Sequence, residues 1–120
     1  AAVLVDLERK ILLVCGTSGS GKSTLTTTII ERLSDKGYQV LVIDPEGDYT
    51  NLDFVTHVGN PSHAPLLEDV TDALNNPARS IVVNLLGVPL GDRPGYFAQM
   101  MPLILAEKAK TGRPHWLIVD

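Results

Sequence analysis

An α/β domain, with a parallel sheet held between helices in three αβα layers, is the fold class the sequence predicts. Three observations predict it. The apolar run Ile11-Leu12-Leu13-Val14-Cys15 leads into a glycine-rich loop and then a helix-periodic stretch. Further apolar runs return at 39–43, 80–86 and 116–119, with helical patterns between them. None of these runs alternates with polar residues as a half-wet strand would, so each reads as a strand covered on both faces.

Taken in order, Val3 to Leu7 and the polar Glu8-Arg9-Lys10 predict a short strand and a turn feeding the strand that ends at Cys15. The stretch from Ser23 to Lys36 predicts a helix whose sheet-facing stripe is Leu25, Ile29, Ile30 and Leu33, closed by Gly37. Gln39 to Ile43 is the next strand, which completes a strand–helix–strand crossover unit and ends in the acidic turn Asp44-Pro45-Glu46-Gly47-Asp48-Tyr49. A short strand is expected at Phe54-Val55-Thr56. After it, Pro65 opens a helix carrying Leu66, Leu67, Val70, Ala73 and Leu74 and stopped by Asn75-Asn76-Pro77. Ser80 to Leu86 is a strand and Gly87 to Gly95 a loop. Tyr96 to Lys110 is a helix in which Pro102 implies a kink or a later start, and Trp116 to Val119 is the last strand.

Composition narrows the function classes. A chain of 120 residues with 44% hydrophobic and 20% charged residues can build one packed core, which removes disorder from consideration. A net charge of −4 lacks the global basic character of a nucleic-acid surface. Cys15 is the single cysteine, so no internal disulfide is available. No apolar run approaches the ~20 residues needed to cross a bilayer, so a cytoplasmic protein without membrane contact is expected. The chain opens without Met and stops at Asp120 on the end of an apolar run. Residues 1–120 are therefore expected to be the N-terminal portion of a nucleotide-binding domain that continues past Asp120.

The chemistry concentrates in Gly16-Thr17-Ser18-Gly19-Ser20-Gly21-Lys22-Ser23, followed by Thr24. Glycine, four free positions, Gly-Lys and then Ser or Thr, set between a strand and a helix, form a phosphate cradle. Main-chain N–H groups curl around the phosphate oxygens, and bare glycines let the backbone come close. Lys22 reaches the β and γ phosphates, and the Ser23 hydroxyl ligates Mg²⁺. In open parallel sheets ligands sit beyond the carboxyl ends of the strands, which brings the turn 44–49 to the same rim. Its acids, Asp44, Glu46 and Asp48, suit three roles: orienting a water, contacting Mg²⁺ through water, or forming an ordinary Pro/Gly turn. Asp120 closes its apolar run as a magnesium-facing aspartate does.

Taken together, the glycine loop, the segment Val42-Ile43-Asp44-Pro45-Glu46-Gly47-Asp48-Tyr49 and Trp116-Leu117-Ile118-Val119-Asp120 resemble the HerA/FtsK-type branch of P-loop ATPases. That resemblance implies a RecA-like parallel sheet, Mg²⁺-ATP hydrolysis, and a ring of like subunits acting on DNA or protein. It gives Lys22 the phosphate role, Ser23 and Asp120 the metal roles, and Lys22, Asp120 and Glu46 the catalytic ones. In that family a catalytic glutamate, a polar sensor and an arginine finger would lie beyond Asp120. Two other classes compete. A nucleotide-dependent switch of the partition or cofactor-biosynthesis type shares the pattern from Leu25 to Asp44, but carries an early loop lysine where this chain has Thr17. A small-molecule kinase would need an arginine-rich lid, and no such cluster is present. Arg79, Arg93 and Arg113 read as loop arginines. His57, His63 and His115 lack metal-ligand spacing, and Tyr38, Tyr49 and Trp116 are too scattered for a base-stacking platform.

Overall fold

A computed structural model describes residues 2–6, 10–14 and 22–120, with side chains from residue 24 onward. The elements run β1 (Ala2–Asp6), β2 (Lys10–Val14), α1 (Lys22–Asp35), β3 (Val40–Asp44), β4 (Val55–Val58), α2 (Leu67–Leu74), β5 (Ser80–Asn84), a 3₁₀ turn (Leu90–Asp92), α3 (Arg93–Thr111) and β6 (Trp116–Val119). They build one six-stranded sheet in the order β2-β1-β6-β3-β5-β4. The four strands β6, β3, β5 and β4 are parallel neighbours, while β1 pairs antiparallel with both β6 and β2.

The continuous apolar runs now have their reason. All five residues of β3 and all five of β5 are buried, and strand alternation sends their side chains to two separate cores. On one face Val40, Val42, Val82 and Ile118 join Ile30 of α1. On the other, Leu41, Ile43, Ile81, Val83 and Leu117 pack against Val70, Ala73 and Leu74 of α2 and Met100 and Ile104 of α3. Among the described residues, one helix on one side and two on the other give the expected αβα layering. No helix among the described residues is long and apolar enough to cross a membrane.

Several expectations need correction. The two strands of the crossover unit, β2 and β3, run in the same direction but are not neighbours: β1 and β6 lie between them. A short connection makes β1 and β2 a local hairpin, and β1 then satisfies the backbone groups along one edge of β6. On α1, Leu25 is 50% exposed and Thr26 is buried in its place, because the face that meets the sheet runs through Thr26, Ile30 and Leu33. Leu66 stands exposed one residue before α2. Helix α3 begins three residues earlier than expected and continues through Pro102. Ala98 and Pro102 are both exposed, so the carbonyl that loses its amide partner at the proline faces water.

Candidate functional site: the carboxyl rim of the parallel sheet

Because β3, β5 and β6 are parallel, their carboxyl ends form one rim. Asp44 closes β3, Asn84 closes β5 in register with it, and Asp120 follows β6, its backbone N–H donating to the Ile43 carbonyl at 3.2 Å. The Leu85 N–H extends the ladder on the other side, donating to the Asp44 carbonyl at 3.0 Å. Asn84 is buried, and its Oδ1 accepts from the Leu86 N–H at 2.8 Å. It shapes the loop leaving β5, a role that nothing in its apolar surroundings signalled.

Asp44 organises the acidic turn. Its two carboxylate oxygens accept the backbone N–H groups of Asp48 and Tyr49, both at 3.0 Å, so the chain folds back over the strand end. Gly47 makes the fold possible. Its φ is +74°, which side chains rarely adopt, and a Cβ there would lie 2.6 Å from Leu86 Cδ1, so that Leu86 would have to give way. Burial pushes the Asp44 carboxyl above its ordinary value, the backbone donors of Tyr49 and Asp48 pull it down, and the neighbouring Asp48 charge raises it again.

This turn brings ligand oxygens of Asp44, Asp48 and Asp120 within 4.8 Å of one another. Asp44 is buried, Asp120 half-buried and Asp48 exposed, so the group opens from the core to solvent. Glu46, given a catalytic role alongside Lys22 and Asp120 by the family resemblance, is exposed on the same turn and lies outside this trio. Three carboxylates in a small space repel unless a cation or protons intervene. Hard, anionic oxygen donors are what Mg²⁺ takes, and the donor set therefore fits that ion.

Tyr49, weighed from sequence only as a base-stacking candidate and set aside, sits at the centre of this rim. It is 1% exposed, and its hydroxyl faces the Thr26 hydroxyl of α1 and the Asp120 carboxylate without forming a hydrogen bond of good geometry. Its pKa is raised, first by burial and then by the Asp120 and Asp44 charges, against an opposing effect from Thr26. The only clue lay in its place just after the turn. An aromatic residue leaving a chain reversal that is anchored to the core is well placed to be drawn inward.

The glycine loop 16–21 lies outside the described residues, so Gly16, Thr17, Ser18, Gly19, Ser20 and Gly21 are placed by sequence alone. Lys22 and Ser23 are the first two residues of α1, and Thr24 is exposed. Ser23 precedes Thr26 by three residues, about one helical turn, and Thr26 is the α1 residue beside Tyr49. The start of α1 therefore lies toward the acidic rim. Two of the loop arginines are staples: Arg79 donates to the carbonyls of Val55 at 2.6 Å and Asp53 at 3.2 Å, and Arg93 Nε to that of Val88 at 3.0 Å.

A phosphate-cradle sequence between β2 and α1, a parallel sheet between helical layers and an acid at the end of β6 define a RecA-like P-loop domain. A family model described as the central domain of the helicase HerA matches residues 3–89, well over half of the chain. The chain belongs to that family of HerA-type P-loop ATPases. Among relatives, an uncharacterised protein of Aquifex aeolicus is 52% identical over 54 residues, covering 41% of this chain and 20% of that protein. An uncharacterised ATP-binding protein of Methanocaldococcus jannaschii is 49% identical over 39 residues, covering 32% of this chain and 15% of its own length. The chain thus spans a minor part of both relatives. No solved structure matches it.

Proposed function

We propose that this chain is the nucleotide-binding portion of an ATPase that couples Mg²⁺-ATP hydrolysis to movement of DNA or another macromolecule. The observation that carries the reading is the meeting of Asp44, Asp48 and Asp120 on the rim toward which the start of α1, with Lys22 and Ser23, is directed. The ATP-binding designation of the Methanocaldococcus relative supports it, and so does membership of the HerA family.

On this reading residues 16–24 wrap the phosphates with main-chain amides, and Lys22 offsets their charge. Ser23 and Asp120 hold Mg²⁺ from opposite sides, with Asp44 and Asp48 near enough to engage it directly or through water. When bound, Mg²⁺ neutralises charge developing on the transferred phosphoryl group. Asp44 and Asp48, more than the outlying Glu46, are the acids on this turn placed to orient a water there. Like subunits assembled into a ring would supply the arginine that such sites take in trans.

Lys22→Ala tests the reading. In a titration with Mg²⁺-ATP the variant is expected to lose binding by at least ~100-fold, the scale of a lost charge-assisted phosphate contact in a dry site, while its circular dichroism matches the wild type. Unchanged affinity would remove the assignment.

A further inference from the structure

The rim contains a buried hydroxyl whose position the core fixes. Tyr49 enters through its backbone bond to Asp44 at 3.0 Å, and its ring packs with Ile30, Val42, Val55, Val82 and Ile118 under α1. A ring held this way cannot swing, so the hydroxyl stays where the ring puts it, between Thr26, itself 2% exposed, and the Asp120 carboxylate. Buried hydroxyls are normally hydrogen-bonded, and the groups within reach of this one are the Thr26 hydroxyl and the Asp120 carboxylate, so a small shift of either completes the bond.

We propose that Tyr49 is a positioning residue: its hydroxyl, fixed between Thr26 on α1 and Asp120 after β6, orients the Asp120 carboxylate toward a divalent cation held with nucleotide. This rests on the ATPase reading above and extends it to a residue outside the phosphate-cradle motif. The physical basis is that a carboxylate ligand rotates freely unless a neighbour donates to one of its oxygens, and a phenol O–H is such a donor. Because the same hydroxyl adjoins Thr26, the metal-facing acid is tied to the helix that begins with Lys22 and Ser23. A change at the phosphate end of α1 then alters how Asp120 presents itself.

The test uses the full-length protein with Mn²⁺ as a spin probe, free Mn²⁺ being measured by electron paramagnetic resonance in the presence of ADP. Tyr49→Phe keeps the ring and removes the hydroxyl. Its Mn²⁺ affinity is expected to fall about tenfold, the scale of a lost outer-shell partner, while ADP affinity without metal and the thermal midpoint stay at wild-type values. Mn²⁺ affinity unchanged in Tyr49→Phe, with wild-type nucleotide binding intact, would overturn the positioning role and leave the ATPase reading standing. Wild-type protein that binds no nucleotide would overturn both. Thr26→Val, of equal shape, gives an independent check should Tyr49→Phe fold poorly: weakened Mn²⁺ binding supports the link through α1, and wild-type binding refutes it.

Discussion

Asp44 combines two demands that oppose each other. Its carboxylate builds the turn by accepting two backbone amides, yet burial raises its pKa above the ordinary 3.8. The folded chain therefore keeps this proton over a range where the unfolded chain has already released it. Since stability changes with pH as the protons bound by the unfolded state minus those bound by the folded state, this group's contribution declines as pH rises from 3.8 through the higher folded value. Urea midpoints measured across that window should fall with pH in the wild type and fall less in Asp44→Asn. The slope is the readout, because Asn accepts fewer hydrogen bonds and lowers the whole curve. Saturating Mg²⁺ should reverse the wild-type decline by favouring the ionised form; parallel slopes in the two proteins would refute this account of Asp44. Sequence named the turn and its three acids but could not separate them, whereas the fold gathers Asp44 and Asp48 with Asp120 and leaves Glu46 outside. Residues 44, 46 and 48 would share one side of an extended chain, and the reversal at Gly47 separates Glu46 from its neighbours.

At the level of elements, the end of the sheet opposite the site is stitched by one side chain. Gln39 is fully buried, its Nε2 donates toward the carbonyls of Leu74 at 3.2 Å, Asn76 at 3.1 Å and Arg79 at 3.2 Å, and its backbone N–H donates to His115 Nδ1 at 2.9 Å. It joins the start of β3 to the end of α2, the approach to β5 and the approach to β6. Gln39→Ala would leave those carbonyls short of donors, and a loss of about 2–3 kcal/mol in urea unfolding is expected. Gly59 tests the other end. With φ +82° and a Cβ position 2.6 Å from the Asn84 carbonyl, Gly59→Ala should cost on the order of 2–3 kcal/mol, since neither backbone can give way. Strands and helix stops were legible because apolar runs, Gly37, Asn75-Asn76-Pro77 and Gly112 are local signals. The sheet-facing side of α1 was misjudged by one position because Thr26 is buried by what it meets, which its own polarity does not announce.

For the whole molecule, the layering followed from composition along the strands, while the strand order did not. Periodicity says that a strand is covered on both faces and nothing about which strands lie beside it, and the separation of β2 from β3 is a property of pairing across the sequence. Function at this scale is tested on the full-length protein. If it moves a macromolecule, its ATPase rate should rise several-fold, on the order of 1 kcal/mol in barrier height, when DNA or a protein substrate is added. Indifference to both would favour a nucleotide switch instead.

The close approach of Leu86 to Gly47 has a mechanical consequence. Leu86 stands beside the turn at Gly47, so a shift of that turn toward β5 displaces the Leu86 side chain. A movement at the top of β3 is therefore felt first by the loop that leaves β5.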